Sequence, residues 1–160
     1  YLVYKISIII YYLVSVNMYL ISTRYIYIYI LVYKISITIF INFLQKKIDG
    51  IENIITGDFN IAPSKLDCYD SKSWDGKILV SPQEREYFDK LLNLGFIDTF
   101  REMNPNANEF SWWDYRIPFK RNLGMRIDHI LLSKTLLPFL KKAYIDKATR
   151  TLERPSDHVQ

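Results

Sequence analysis

The pattern of apolar and polar positions along this chain changes character once, between Gln45 and Asp49. Before that point the residues are almost all Ile, Tyr, Leu, Val, Ser and Thr. The heptapeptide LVYKISI occurs at Leu2–Ile8 and again at Leu31–Ile37, with a strict Tyr-Ile alternation from Tyr25 to Ile30 between the copies. After it, the periodicity is that of an α/β domain. The apolar run Ile51–Thr56, closed by Gly57, predicts a buried strand. Ser81-Pro82-Gln83-Glu84 supplies an N-cap, a first-turn proline and a reciprocal acid. Tyr87, Phe88, Leu91, Leu92 and Leu94 then recur at helical spacing until Gly95 stops the helix. Phe110–Tyr115 and Arg126–Leu132 predict strands, and a short helix or turn is expected from Ser133. The polar stretch Ala62–Val80 is expected to be a long surface loop, of the kind that carries function.

Three readings of residues 1–48 stand side by side. Ile6–Thr23 is free of charge over 18 residues, the lower limit for a membrane span, although serines, an asparagine and tyrosines interrupt it. Alternating β-branched and aromatic residues favour strands, which would need burial on both faces. The Ile/Tyr/Lys/Asn/Leu composition is also what A/T-rich codons yield when non-coding sequence is translated. Two copies of a repeat are too few for a solenoid.

Charge follows the same boundary. The whole chain carries +4, but residues 1–48 hold five basic residues and no acidic one. The remainder, with 16 basic and 17 acidic residues, is nearly neutral. Net charge therefore gives no argument for a nucleic-acid partner. The single cysteine, Cys68, excludes an internal disulfide and fits a reducing, cytoplasmic setting.

Four constellations carry candidate chemistry. In Gly57-Asp58-Phe59-Asn60, strand alternation would put Asp58 and Asn60 on one face and Phe59 in the core. An acid and an amide at a strand end can hold a metal, a water or a phosphate oxygen, or simply turn the chain. Adjacent Trp112 and Trp113, within Phe110–Arg116, must face opposite sides of a strand, so both cannot enter one core. Asp128, within the apolar run Gly124–Leu132, needs a partner there. Asp157-His158 near the chain end offers one: a histidine held protonated by a buried Asp128.

The ordered set GDFN, SPQER, LGFIDTFR, FSWWDYR, GMRIDHILLS and ERPSDHV, from Gly57 to Val159, resembles the exonuclease III family of abasic-site endonucleases, in the endonuclease/exonuclease/phosphatase superfamily. The resemblance implies an α/β fold, part of a four-layered αββα sandwich. Residues 49–160 would be its C-terminal portion, with the N-terminal half missing and residues 1–48 outside the family domain. It implies hydrolysis of phosphodiesters in double-stranded DNA at abasic sites and 3′ ends, by a monomer using Mg²⁺ or Mn²⁺. Position by position, Asp58 matches the residue that activates water, Asn60 its partner at the phosphate, and Asp128 the acid paired to His158, which binds the phosphate. Asp58, Asn60 and Asp157 match metal-site positions. Trp112, Met125 and Ile127 fall where the family forms a pocket for the base-less sugar. His129 matches no catalytic position and is expected to be a packed or surface residue, and Trp113 to be core. Residues 1–48 lack the family's metal-binding Glu and phosphate-contacting Tyr motif. The expectation is thus a truncated exonuclease III-type DNA repair nuclease, inactive as it stands; the alternatives are a non-enzymatic gene remnant, a membrane-tethered phosphoesterase-like protein through residues 1–48, or a phosphatase of the same superfamily.

Overall fold

The computed structural model describes residues 35, 37–45 and 52–159. The chain divides into two units, 1–49 and 50–160. In the first, residues 37–45 form a helix, α1, with Ile41 and Leu44 buried and Ile39 exposed, the three-residue spacing of one helix face. The strand reading therefore fails for these residues. The Tyr-Ile alternation and the uncharged run Ile6–Thr23 lie outside the described residues. No helix among the described residues is long and apolar enough to cross a membrane.

The second unit runs β1 (Ile54–Asp58), α2 (Pro82–Asn93), β2 (Phe96–Asp98), α3 (Thr99–Met103), β3 (Trp112–Trp113), β4 (Gly124–Met125) and β5 (Asp128–Ser133). Helix α2 begins where the sequence predicts. The Ser81 hydroxyl accepts from the Glu84 amide, and the Glu84 carboxylate accepts from the Ser81 amide at 2.9 Å. At its other end Gly95 adopts φ 94°, a left-handed conformation that suits glycine, and its amide closes on the Leu92 carbonyl at 2.9 Å.

Strand β5 is central in an antiparallel sheet of order β1-β5-β2. The register sets Ile54 opposite Leu132, Thr56 opposite Ile130 and Asp58 opposite Asp128. Because side chains alternate, these six share one face of the sheet. On the other face His129, Leu131, Phe96 and Asp98 are buried, and Phe88 of α2 packs on the His129 ring at 4.7 Å. The first face is open at Ile54, 65% exposed, and Ile130, 52% exposed, while Leu132 on it is buried. The expectation of a buried first strand is corrected on both counts. Among the described residues β1 pairs only with β5, so it is an exposed edge strand, and its ladder starts at Ile54 and runs on to Asp58.

The expected strand Arg126–Leu132 is observed as β5, which starts later, at Asp128, while the residues just before Arg126 form a separate strand, β4. Arg126 donates its amide to the Asp67 carbonyl at 2.9 Å, and the amides of Ile127 and Asp128 both donate to the Ser111 hydroxyl at 3.1 Å. These bonds take the chain out of one ladder and into the next. Strand β4 pairs instead with β3, Trp112 opposite Met125, in a second, two-stranded sheet. The predicted strand Phe110–Tyr115 shortens to that pair. Gly124 is required there, since a Cβ would meet the Trp113 indole nitrogen at 2.6 Å and the Trp112 carbonyl at 2.7 Å. The tryptophans do separate: Trp112 joins Ala62, Cys68, Leu79, Val80, Met125 and Ile127, while Trp113 packs with Phe110 and Val159. The stretch Ala62–Val80 is thus no mere surface loop, because its ends and centre enter the core.

A buried ionic network ties these parts together. Arg126, 1% exposed, donates to Asp67 at 2.6 Å and to both oxygens of Asp98 at 3.0 and 2.7 Å. Arg101 adds a second cation on Asp67 at 2.7 Å. Burial alone would raise the Asp67 pKa, but the Arg126 and Arg101 charges outweigh it and hold the carboxyl below its usual range. Such a network is costly to break from one side, because the remaining charges stay buried.

Candidate active site

Strand β1 ends at Asp58, and the next residues fold back rather than continuing. The Asn60 amide donates to Asp58 Oδ1 at 2.8 Å, and its side-chain nitrogen donates to Oδ2 at 3.0 Å. Asn60 is itself left-handed, φ 52°, a conformation asparagine tolerates better than most residues. The two side chains meet through this turn, not through strand alternation as the sequence pattern predicts. Phe59 does turn inward, edge-on to Phe88 and His129. His129 is a packed residue: its Nε2 faces the Ile61 carbonyl at 2.8 Å and its Nδ1 faces Arg126 at 3.0 Å.

Across the ladder from Asp58 stands Asp128. His158, brought alongside by a bridge between its backbone and Trp112, places Nδ1 at 3.1 and 3.0 Å from the two oxygens of Asp128. One oxygen each of Asp58 and Asp128 and one nitrogen of His158 lie within 4.8 Å of one another. Asp157 stands apart from that group, with Oδ2 accepting from the Trp112 indole at 3.1 Å. Trp112, Met125 and Ile127 do come together, but as a packed cluster with Met125 0% and Ile127 2% exposed; only Trp112 reaches toward Asp157. Asp128 is half-buried rather than buried, since it lies on the open face.

The electrostatics follow from this crowding. Asp58 is exposed as a residue, and its carboxylate lies among Asn60, Asp128 and His158. Desolvation there, and then the neighbouring Asp128 charge, push its pKa up to about 6 against the hydrogen bonds from Asn60. For His158, burial works against protonation, but the bond to Asp128 and the charges of Asp128, Asp58 and Asp157 raise its pKa above the usual value. The arrangement sets a carboxylate of raised pKa beside an imidazole whose protonated form its acidic neighbours favour. Ser111, whose hydroxyl holds the start of β5, is a residue that sequence patterns do not single out.

Comparison with known proteins decides the family. The model of the endonuclease/exonuclease/phosphatase family matches residues 14–158. The chain belongs to this family. Within it, the chain is similar to exodeoxyribonuclease III of Haemophilus influenzae, with 42% identity over 125 residues, 72% of this chain and 47% of the relative. It is also similar to the DNA repair nuclease APEX1 of Danio rerio, 36% identical over 107 residues, 66% of this chain and 33% of that one. Among solved structures, the 3′-5′ exonuclease NExo of Neisseria meningitidis matches with TM-score 0.76 and 41% identity, over 79% of this chain and 50% of that chain. An AP endonuclease of Archaeoglobus fulgidus matches with TM-score 0.73 and 30% identity, over 79% and 52%. The endonuclease/exonuclease/phosphatase member described here thus spans about half, or less, of the relatives' length.

Proposed function

We propose that the chain carries the water-activating and phosphate-stabilising part of an exonuclease III-type DNA repair phosphodiesterase, and that by itself it does not turn over. The observation that carries this reading is the convergence of Asp58 and the Asp128–His158 pair on one open sheet face in a chain of this family. Asp58, its pKa pushed up to about 6, accepts a proton from an attacking water, and Asn60 orients its carboxylate. Asp128 holds the Nδ1 proton of His158, which leaves Nε2–H directed at a phosphate oxygen as charge builds there. The substrate is double-stranded DNA at an abasic site or 3′ end; Met125 and Ile127 pack in the core behind Trp112 and offer the sugar no exposed wall.

The donor set fits a hard divalent cation. Two facing carboxylates close enough for one to raise the pKa of the other form an anionic spot that Mg²⁺ or Mn²⁺ would relieve. Asp58 and Asp128, the carboxylates that converge there, would hold it beside the amide oxygen of Asn60, whereas Asp157 is set apart on the Trp112 indole. When bound, the cation supplies charge neutralisation at the phosphate. An octahedral ion asks for about six ligands, more than these side chains offer, and the face is open to water. Water and substrate oxygens would fill the remaining positions, as is usual for Mg²⁺. The cytoplasm, the setting of a reducing chain, is the location this reading assigns.

Mn²⁺ titration followed by nuclear magnetic resonance tests the reading. Broadening should centre on Asp58, Asn60, Asp128, Asp157 and His158, and disappear in Asp58→Asn. Broadening that spreads over surface carboxylates, or survives the substitution, would remove the metal from this site.

A further inference from the structure

The segment from Leu152 to His158 lacks a ladder of its own beyond the single bridge to Trp112, yet it must deliver Asp157 and His158 to the site. Three consecutive carbonyls in it are each taken by a donor. The Tyr115 hydroxyl donates to Pro155 at 2.9 Å, the Arg150 guanidinium donates to Ser156, and the Trp113 amide donates to Asp157 at 3.0 Å. The middle donor is unusual. Arg150 is 8% exposed and carries no carboxylate partner among the described residues. Its guanidinium instead sits against the rings of Phe119 at 5.0 Å, Tyr115 at 5.6 Å and Trp113 at 6.0 Å. Its Nε is buried without a hydrogen bond. A cation taken out of water in this way needs a strong acceptor and aromatic faces to offset its desolvation.

We infer that Arg150 is a positioning residue, which acts through the Ser156 carbonyl to fix where Asp157 and His158 sit. The cage fixes the guanidinium, the guanidinium fixes the carbonyl, and the next residue's carboxylate is thereby held under the Trp112 indole at 3.1 Å. This rests on the reading of Asp157 and His158 as site residues, but its structural content is separable from that reading.

The chain's three tryptophans, Trp74, Trp112 and Trp113, provide the assay, because each indole N–H gives its own proton resonance. Trp112 reports on Asp157, whereas Trp74, bonded to the Tyr69 hydroxyl at 2.9 Å, reports on the 62–80 segment that packs against the same core. In Arg150→Met the Trp112 indole should move to the position of a water-bonded indole and exchange at least about tenfold faster. Tenfold corresponds to the lower end of a charge-assisted hydrogen bond. Trp74 should not change. A Trp112 resonance identical to wild type would overturn the inference. If Arg150→Met loses the Trp74 resonance too, its fold is gone and Arg150→Lys decides. Lysine keeps a cation in the cage but cannot stack and donate as a planar guanidinium does. With Lys, a displaced Trp112 and intact Trp74 support the role, and an undisplaced Trp112 refutes it. Collapse of both resonances in both variants would make Arg150 a general stability residue and equally refute it. Mn²⁺ titration of the wild type is read alongside. Absence of broadening near Asp58 would count against the nuclease reading alone, whatever Trp112 does.

Discussion

Removing the imidazole of His129 should make the chain less sensitive to acid. His129 is 3% exposed, between Phe59 and Phe88. Arginine can only donate, so Nδ1 must accept from Arg126, and the ring proton resides on Nε2, donated to the Ile61 carbonyl. Burial first, and the Arg126 charge second, lower its pKa from 6.5 to about 4. Protonation is therefore easier in the unfolded chain. The stabilising contribution is complete above pH 6.5 and is lost as pH falls toward 4. A separation of that size corresponds to about 3 kcal/mol. Asp58 and His158 act in the opposite direction, since both pKa values are raised on folding and both gain stability as pH falls. The wild-type curve alone would blur these effects, and a difference measurement isolates one. His129→Gln keeps an N–H for Ile61 and an oxygen for Arg126 but cannot titrate. Urea unfolding followed by tryptophan fluorescence should find the variant less stable near pH 7. Between pH 7 and pH 4 the gap should shift by about 3 kcal/mol in its favour. A gap that stays constant within about 0.5 kcal/mol would refute the reasoning.

Arg126→Met should cost about 3–5 kcal/mol, because it leaves Asp67 and Asp98 buried around an apolar side chain; a loss under about 1 kcal/mol in urea unfolding would contradict that view. Ser81→Ala should cost about 1 kcal/mol by opening the capping box of α2, and an unchanged unfolding midpoint would place the helix's stability elsewhere. Ile54→Thr with Ile130→Thr should reduce self-association and dye binding while changing stability little, since both side chains face water; undiminished dye binding would locate the sticky surface on another face.

Much of this was legible in the sequence because it depends on local rules. The cap at Ser81 and the stop at Gly95 needed nothing but neighbours. The Asp128–His158 pairing could be anticipated from chemistry, as a carboxylate in an apolar strand and a histidine beside an acid each lacked a partner. Other features were set by distant contacts. Patterning treats Gly124–Leu132 as one apolar run, and only the Asp67 carbonyl and the Ser111 hydroxyl break it into β4 and β5. The same holds for β1, whose apolar composition suits a covered strand and whose exposure depends on what pairs beside it. The turn joining Asp58 to Asn60 was hidden for a different reason. The motif has the spacing of a strand, while asparagine's tolerance of positive φ allows the reversal. Asp67, Asp98 and Arg126 were missed because each looks like an ordinary surface charge until all three are enclosed together. The boundary at Asp49, clear in composition, remains a proposal for the domain's edge, and the family match begins before it, at residue 14.

The central claim is that a nuclease-type cluster is assembled in this chain but is insufficient for turnover. Incubation of the purified chain with a labelled duplex containing one abasic site, in Mg²⁺ and again in Mn²⁺, tests it most directly. The account predicts no incision above background in either metal, because removing even one stabilising donor costs about 10²–10³ in rate. Incision that requires the metal and vanishes in Asp58→Ala would contradict it, since the residues present would then suffice for the whole reaction.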